Sequence, residues 1–253
     1  MRTWRDIARY HLVVPWLALG LPWAFLAVSF AVNLAIFSFV PQAHHQVLTS
    51  HGPVQVANAA HNYTGGVASI YILLLIIGIN SIGRSLPFGL AVGVTRRSFY
   101  TGTALFGAGL ALVDGLLLAA LQAVERAADG WGANMHFFQV SYILNGPWYL
   151  TWLTSSVGLA LMFVWGMWFG LVYRRWGLLG SAAFVAIQVT VLLAALLIVA
   201  GADAWSGVGH FFTGLTAAGL TGLLAALAVL LLAGGQATIR RAARRAVKKY
   251  DLV

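Results

Sequence analysis

This chain of 253 residues contains no cysteine. Disulfides, thiol nucleophiles and thiolate metal sites are therefore excluded. Charge is scarce as well: Asp, Glu, Lys and Arg make up 8% of the residues, against roughly 25% in an average soluble domain. Lysine occurs only at Lys248 and Lys249. A glycine-rich phosphate loop ending in Gly-Lys-Ser or Gly-Lys-Thr therefore cannot be written anywhere in the chain. Glutamate occurs only at Glu125, so a His-Glu-x-x-His zinc protease is excluded too. Asp114 is the only acid well inside an apolar run. A di-carboxylate glycosidase, or an aspartyl protease within the membrane, would need a second.

What remains is mostly apolar. Hydrophobic residues account for 60% of the chain, and the solvent that suits such a surface is lipid. One crossing takes about 20 apolar residues. Six runs are long enough: Leu12–Val40, Tyr63–Gly83, Phe99–Ala123, Trp148–Val172, Leu178–Ala200 and Val208–Ala233. In hydrocarbon an α-helix satisfies its own backbone. The expected fold is thus all-α: a single transmembrane domain, residues 1–253, of six helices. Residues 1–11 read as an interfacial amphipathic helix, with Trp4, Ile7, Ala8 and His11 on one side and Arg2, Arg5, Asp6 and Arg9 elsewhere. The first run is longer than a typical signal-peptide core, so it is read as a retained span. Pro22 lies inside it and is expected to disturb the helix.

The 15 Lys and Arg are not scattered. All but Arg126 fall in four groups: Arg2/Arg5/Arg9, Arg84/Arg96/Arg97, Arg174/Arg175, and a basic tail within 236–253. These groups alternate with loops nearly free of basic residues. Such alternation places the groups on the cytoplasmic side of a cell membrane, with both termini there. The net charge of +9 then faces anionic headgroups or a docked acidic protein, and not nucleic acid. Six of the seven histidines fall on the outer side. His44, His45 and His51 lie in a loop with no acid or thiol beside them, so no metal site is assigned. The outer segment after the third span holds Glu125, and its apolar run Trp131–Leu144 suits an interfacial or re-entrant helix. Small residues at four-residue spacing, Gly166 with Gly170 and Gly214 with Ala218 and Gly222, mark faces for close helix approach.

Asp114 is the sharpest single residue, because an acid at mid-depth is costly and faces a protein interior or a wet cavity. It is either a gate in a transport pathway or a hydrogen-bonded structural acid. Asn33, Asn80 and Gln188 on other spans are its candidate partners.

The connection between the second and third spans, residues 84–97, is the most motif-like stretch. Ser85 and Pro87 suit a helix start, Gly93 a helix stop, and Thr95 the cap of the next span. The run from Leu86 to Tyr100 reads Leu-Pro-Phe-Gly-Leu-Ala-Val-Gly-Val-Thr-Arg-Arg-Ser-Phe-Tyr. Together with Tyr173-Arg174-Arg175-Trp176-Gly177, it resembles the permease subunits of type-2 ATP-binding-cassette exporters. Small bacterial members of that family have six spans, an N-terminal interface helix and a coupling helix between the second and third spans. The family often places a re-entrant pair before its last span, whereas here that connection reads as short.

The resemblance implies a permease that pairs with a second copy and docks on separate cassette ATPase subunits. ATP and magnesium would be held on that partner, with no cofactor and no catalytic residue on this chain. The docking residues it implies are Pro87, Phe88, Leu90, Gly93, Arg96, Arg97, Arg174 and Arg175. Apolar spans with few polar residues lean towards a lipid-like or amphipathic cargo. Other readings remain open. An ATP-independent carrier or channel would use Asp114 for coupling. A membrane enzyme would use His136 or His210. A membrane adaptor or immunity protein would transport nothing.

Overall fold

The computed structural model describes residues 20–39, 65–91, 93–128, 131, 136–138 and 147–250. The expected interfacial helix at 1–11 and the loop that holds His44, His45, His51 and His61 lie outside these residues. Among the described residues seven α-helices follow in order: α1 (Leu21–Phe39), α2 (Ala68–Gly83), α3 (Ser85–Ala91), α4 (Arg96–Ala127), α5 (Trp148–Gly201), α6 (Trp205–Gly214) and α7 (Ala217–Tyr250), with a 3-10 turn at Gly65–Val67 before α2. No strand occurs among the described residues. Four helical stretches are long and apolar enough to cross a membrane, namely Ala68–Ala91, Arg96–Ala127, Trp148–Gly201 and Ala217–Gln236, and Leu21–Ile36 is a shorter apolar one. The chain therefore has the make-up of a helical membrane protein.

α5 is too long for one crossing. Its 54 residues would extend about 80 Å as a rod, against a hydrocarbon core of about 30 Å. Gly177 breaks it, with φ 66° and ψ −157°, a conformation open essentially only to glycine. Trp168 stacks on Phe184 with ring centroids 6.4 Å apart, and Phe169 meets the same ring at 4.9 Å. In an unbroken helix residues 168 and 184 would lie about 24 Å apart. The chain therefore turns back at Gly177 into two arms, 148–176 and 178–201. Exposed aromatic residues mark both ends of the first arm: Trp148 and Tyr149 at one, Tyr173 and Trp176 at the other. From Trp148 to Trp176 the rise is about 42 Å, close to the thickness of a bilayer with its interfacial regions.

The first arm is the centre of the bundle. Gly166 and Gly170 face the Leu75 and Ile79 carbonyls of α2, and Gly78 of α2 faces the Phe163 carbonyl. Backbone thus meets backbone, and no side chain separates the two helices. Phe163 also fills the space beside Gly107 of α4. On the third side, Trp168 Nε1 donates to the Leu231 carbonyl of α7 at 2.7 Å, and Thr154 and Thr221 share a hydroxyl hydrogen bond of 2.6 Å. The second arm is different: Leu178, Leu179, Ile187, Leu192 and Leu197 are all exposed.

One expectation needs correction. The last apolar run is not one helix from Val208. It divides into α6 and α7, with Leu215 and Thr216 non-helical between them, and Thr216 Oγ1 accepts from Gly219 N at 3.1 Å. Gly214 and Gly222 consequently share no helix face, and neither has a neighbour where a Cβ would stand. Pro22 stands near the described start of α1, two residues after a π-helical residue at Gly20, a local departure from α geometry of the kind a proline in a helix brings about.

The α2–α5 contact yields a stability test. A methyl group at Gly166 would collide with a carbonyl, and a carbonyl cannot rotate away. Gly166→Ala should destabilise the detergent-solubilised protein by about 1–3 kcal/mol, read as a lower thermal midpoint of tryptophan fluorescence. The same change at Gly109, where a Cβ meets nothing, should leave the midpoint nearly unchanged.

Candidate functional site

The end of the bundle that carries the arginines is built from two connections. α3 follows α2 after a single residue, Arg84. Ser85 is therefore the first helical residue and has no separate loop to cap. Pro87 falls in the first turn, where backbone N–H groups lack intrahelical partners in any case. Gly93, at φ 84°, terminates α3. Val94 N donates to Gly89 O and Gly93 N to Leu90 O, both at 3.0 Å, which is the Schellman arrangement. Thr95 then caps α4, its Oγ1 accepting from Ser98 N at 3.2 Å. The helix stop and the next cap thus stand where the sequence puts them.

α3 has an inner and an outer side. Leu86 and Gly89 are buried, Gly89 lying against the Phe99 ring, and Leu90 packs on the core. Pro87, Arg96 and Arg97 are exposed, and Phe88 is 54% exposed. Leu90 is therefore not a surface anchor, contrary to expectation. The second connection lies beside the first: Arg174 Nη1 donates to the Gly83 carbonyl at 3.3 Å, at the C-terminus of α2, where orphan carbonyls and the helix dipole favour a cation. Arg175 lies over its neighbour Trp176, 4.5 Å from the ring centroid.

Deeper in the bundle, Asp114 is fully buried on the packed face of α4. Trp23 Nε1 of α1 donates to its Oδ1 at 2.9 Å. Oδ2 has no hydrogen-bond partner among the described residues, and the same holds for the buried Ser156 Oγ on the facing arm of α5. The two helices touch at this level, because Gly115 faces Ser156. The partner of Asp114 is thus an indole of α1 and not one of the amides proposed from sequence. Asn33 donates to Ser29 O at 2.8 Å and Asn80 to Ile76 O at 2.9 Å, each within its own helix. Neither pairs with Asp114.

At the opposite end, Glu125 is fully buried near the C-terminus of α4. Its Oε2 accepts from Trp131 Nε1 at 3.1 Å, Phe137 N at 3.0 Å and Phe138 N at 2.9 Å. Phe30 of α1 meets Trp131, Phe137 and Phe138 with centroids 5.1, 5.3 and 5.9 Å away. Trp131 is held at φ 61°, uncommon for so bulky a residue. Residues 136–138 are non-helical chain folded back onto Glu125; apart from Trp131, the rest of the expected helix Trp131–Leu144 lies outside the described residues. One carboxylate and one aromatic cluster thus close this end over α1 and α4. No group of three His, Asp or Glu side chains comes together among the described residues.

No protein family, curated protein or solved structure matches this chain.

Two substitution series follow. Asp114→Leu strands the Trp23 indole and should lower the thermal midpoint clearly. Asp114→Asn keeps an acceptor and should cost less, since an orphaned buried donor costs about 1–3 kcal/mol. Equal midpoints for both variants would remove the hydrogen bond from the account. At the other end, Glu125→Ala leaves three buried donors without their acceptor. It should cost more than Asp114→Leu and should raise protease cleavage in the 129–146 segment, with Glu125→Gln intermediate.

Proposed function

We propose that this chain is the membrane permease of an ATP-driven exporter, working as a dimer with separate ATPase subunits on the side of the arginines. The observation that carries the reading is the build of α3. A seven-residue helix is locked at its end by Gly93, backed by Phe99, and presents Pro87 and Phe88 outward between Arg84, Arg96 and Arg97. A short rigid element at a bundle mouth, joined to α2 through Arg84 alone and to α4 by a capped turn, transmits a push on its outer face into both helices. The Arg174–Gly83 contact brings the second connection to the same face. The six apolar arms support an even number of crossings with both termini cytoplasmic, as the arginine distribution implies. α6 supports the reading as well, because it puts a ten-residue helix before the last span, where the resembled family often has a re-entrant element.

In this mechanism ATP and magnesium are held by the partner. Closure of the ATPase pair moves α3, and the first arm of α5 carries the movement through its contacts with α2, α4 and α7. The Glu125 cap is the element that must open for cargo to leave. A second reading, an ATP-independent carrier, is favoured by one observation, the unpartnered Oδ2 of Asp114. It predicts cargo movement by the purified chain alone in vesicles.

The test uses α3. Tagged chain is purified from native membranes in mild detergent, and ATP hydrolysis and the retained subunit are measured. A half-exposed aromatic anchor contributes on the order of 2 kcal/mol, so Phe88→Ser should weaken retention of a cassette ATPase about thirtyfold, with a smaller drop in thermal midpoint than Leu90→Ser. Full ATPase retention by Phe88→Ser, or no ATPase with the wild type, would sink the proposal.

A further inference from the structure

A groove of about 460 Å³ runs between α4 and α7 at the arginine-bearing end. Its walls are Ala104, Leu105 and Ala108 on α4 and Val229, Leu232 and Ala233 on α7. Leu105, Ala108 and Val229 are exposed, so the groove opens sideways, towards what would be the bilayer. The volume is within the roughly 300–1,000 Å³ of small-molecule sites. Its small-residue floor exists because the two helices are held just below it. Tyr100 Oη donates to the Leu232 carbonyl at 3.3 Å and lies where a Cβ of Gly235 would stand.

The groove is apolar along its length and polar at one end only. That end is formed by Tyr100, Thr101 and Gln236. The hydroxyls of Tyr100 and Thr101 are occupied by backbone carbonyls. The Gln236 amide is the polar group left over, as no hydrogen bond engages it among the described residues. One turn beyond Thr101 on α4 stands the exposed Arg97, whose carbonyl accepts from Thr101.

An apolar trough, an amide donor and a cationic position one turn away on α4 match one molecule in order: acyl chain, glycerol ester, phosphate. We infer that the α4–α7 groove binds an anionic phospholipid, with one acyl chain along Ala104–Ala108 and the phosphate at Arg97 and Gln236. An anionic lipid is favoured over a zwitterionic one because Arg97 supplies a cation and no carboxylate lines this end of the groove among the described residues. The site needs only a membrane and does not rest on the exporter reading.

Native mass spectrometry of the full chain, released from mixed micelles with equal phosphatidylglycerol and phosphatidylcholine, tests this. The wild type should retain phosphatidylglycerol preferentially. Arg97→Gln should reduce that retention about fivefold, the effect of one basic residue at a membrane surface, without changing phosphatidylcholine. Gln236→Leu should act in the same direction. Ala108→Phe, at an exposed position, should fill the trough and reduce both lipids with the thermal midpoint in lipid-free detergent unchanged. Arg84→Gln removes an equal charge from the same end but away from the groove, and should retain the wild-type preference. Equal retention of the two lipids by the wild type would overturn the inference. So would a loss in Arg84→Gln as large as that in Arg97→Gln, which would mean a diffuse basic surface, or unchanged retention in Ala108→Phe.

Discussion

The bundle depends on the first arm of α5 lying backbone-to-backbone against α2. Lipid tails are as apolar as leucine, so helices in a membrane gain little by hiding apolar side chains from lipid. Close approach and interhelical hydrogen bonds must do the holding. At Gly78, Gly166 and Gly170 there is no Cβ on the contact line, and each glycine meets a carbonyl of the other helix. With that seam fixed, the arm presents Phe163 to α4 and Thr154 and Trp168 to α7. Three helices are positioned by one. The second arm has no such role, which agrees with its nearly continuous exposed apolar surface.

Polar groups form the next layer of specification. Each is expensive in this environment unless it has a partner, so each contact rules out other packings. The Trp23–Asp114 bond ties α1 to α4 at mid-depth, and the Glu125 carboxylate ties the returning segment to the far end of α4. Both acids lie on the same buried face of α4, eleven residues or about 16 Å apart. They differ in completeness. Glu125 draws three donors to a single oxygen, whereas Asp114 has one donor and one oxygen without a partner. The first is arranged as a fastener. The second keeps unused hydrogen-bonding capacity inside the bundle.

Much of this order was legible in the sequence, for identifiable reasons. Apolar run length gave the helical arms, because lipid penalises unpaired backbone too heavily for any other form to compete. Gly93 and Thr95 announced a stop and a cap, since both are local signals that no distant contact has to complete. Gly166 and Gly170 announced a packing face at the correct spacing. What stayed hidden was long-range. Nothing within Val208–Ala233 marks the break at Leu215–Thr216 except Gly214, and glycine is common in membrane helices. Glu125 was placed only in an outer segment, with no partner, because its three donors come from 6, 12 and 13 residues further on. Two of those donors are backbone groups that carry no residue signature. Trp23 was not connected with Asp114 because the two are 91 positions apart.

The same division explains the arginine-bearing end. Sequence marks both basic connections but cannot say that they adjoin; the Arg174–Gly83 bond supplies that. It also cannot sort the side chains of α3. Pro87, Phe88 and Leu90 are all apolar and fall within four positions, yet the helix sends Leu86 and Leu90 inward, one turn apart, and leaves Pro87 and Phe88 outside. The inner pair fixes α3 to the bundle and the outer pair lies on the opposite side, a division set by what the fold brings beneath the helix and encoded by no local pattern.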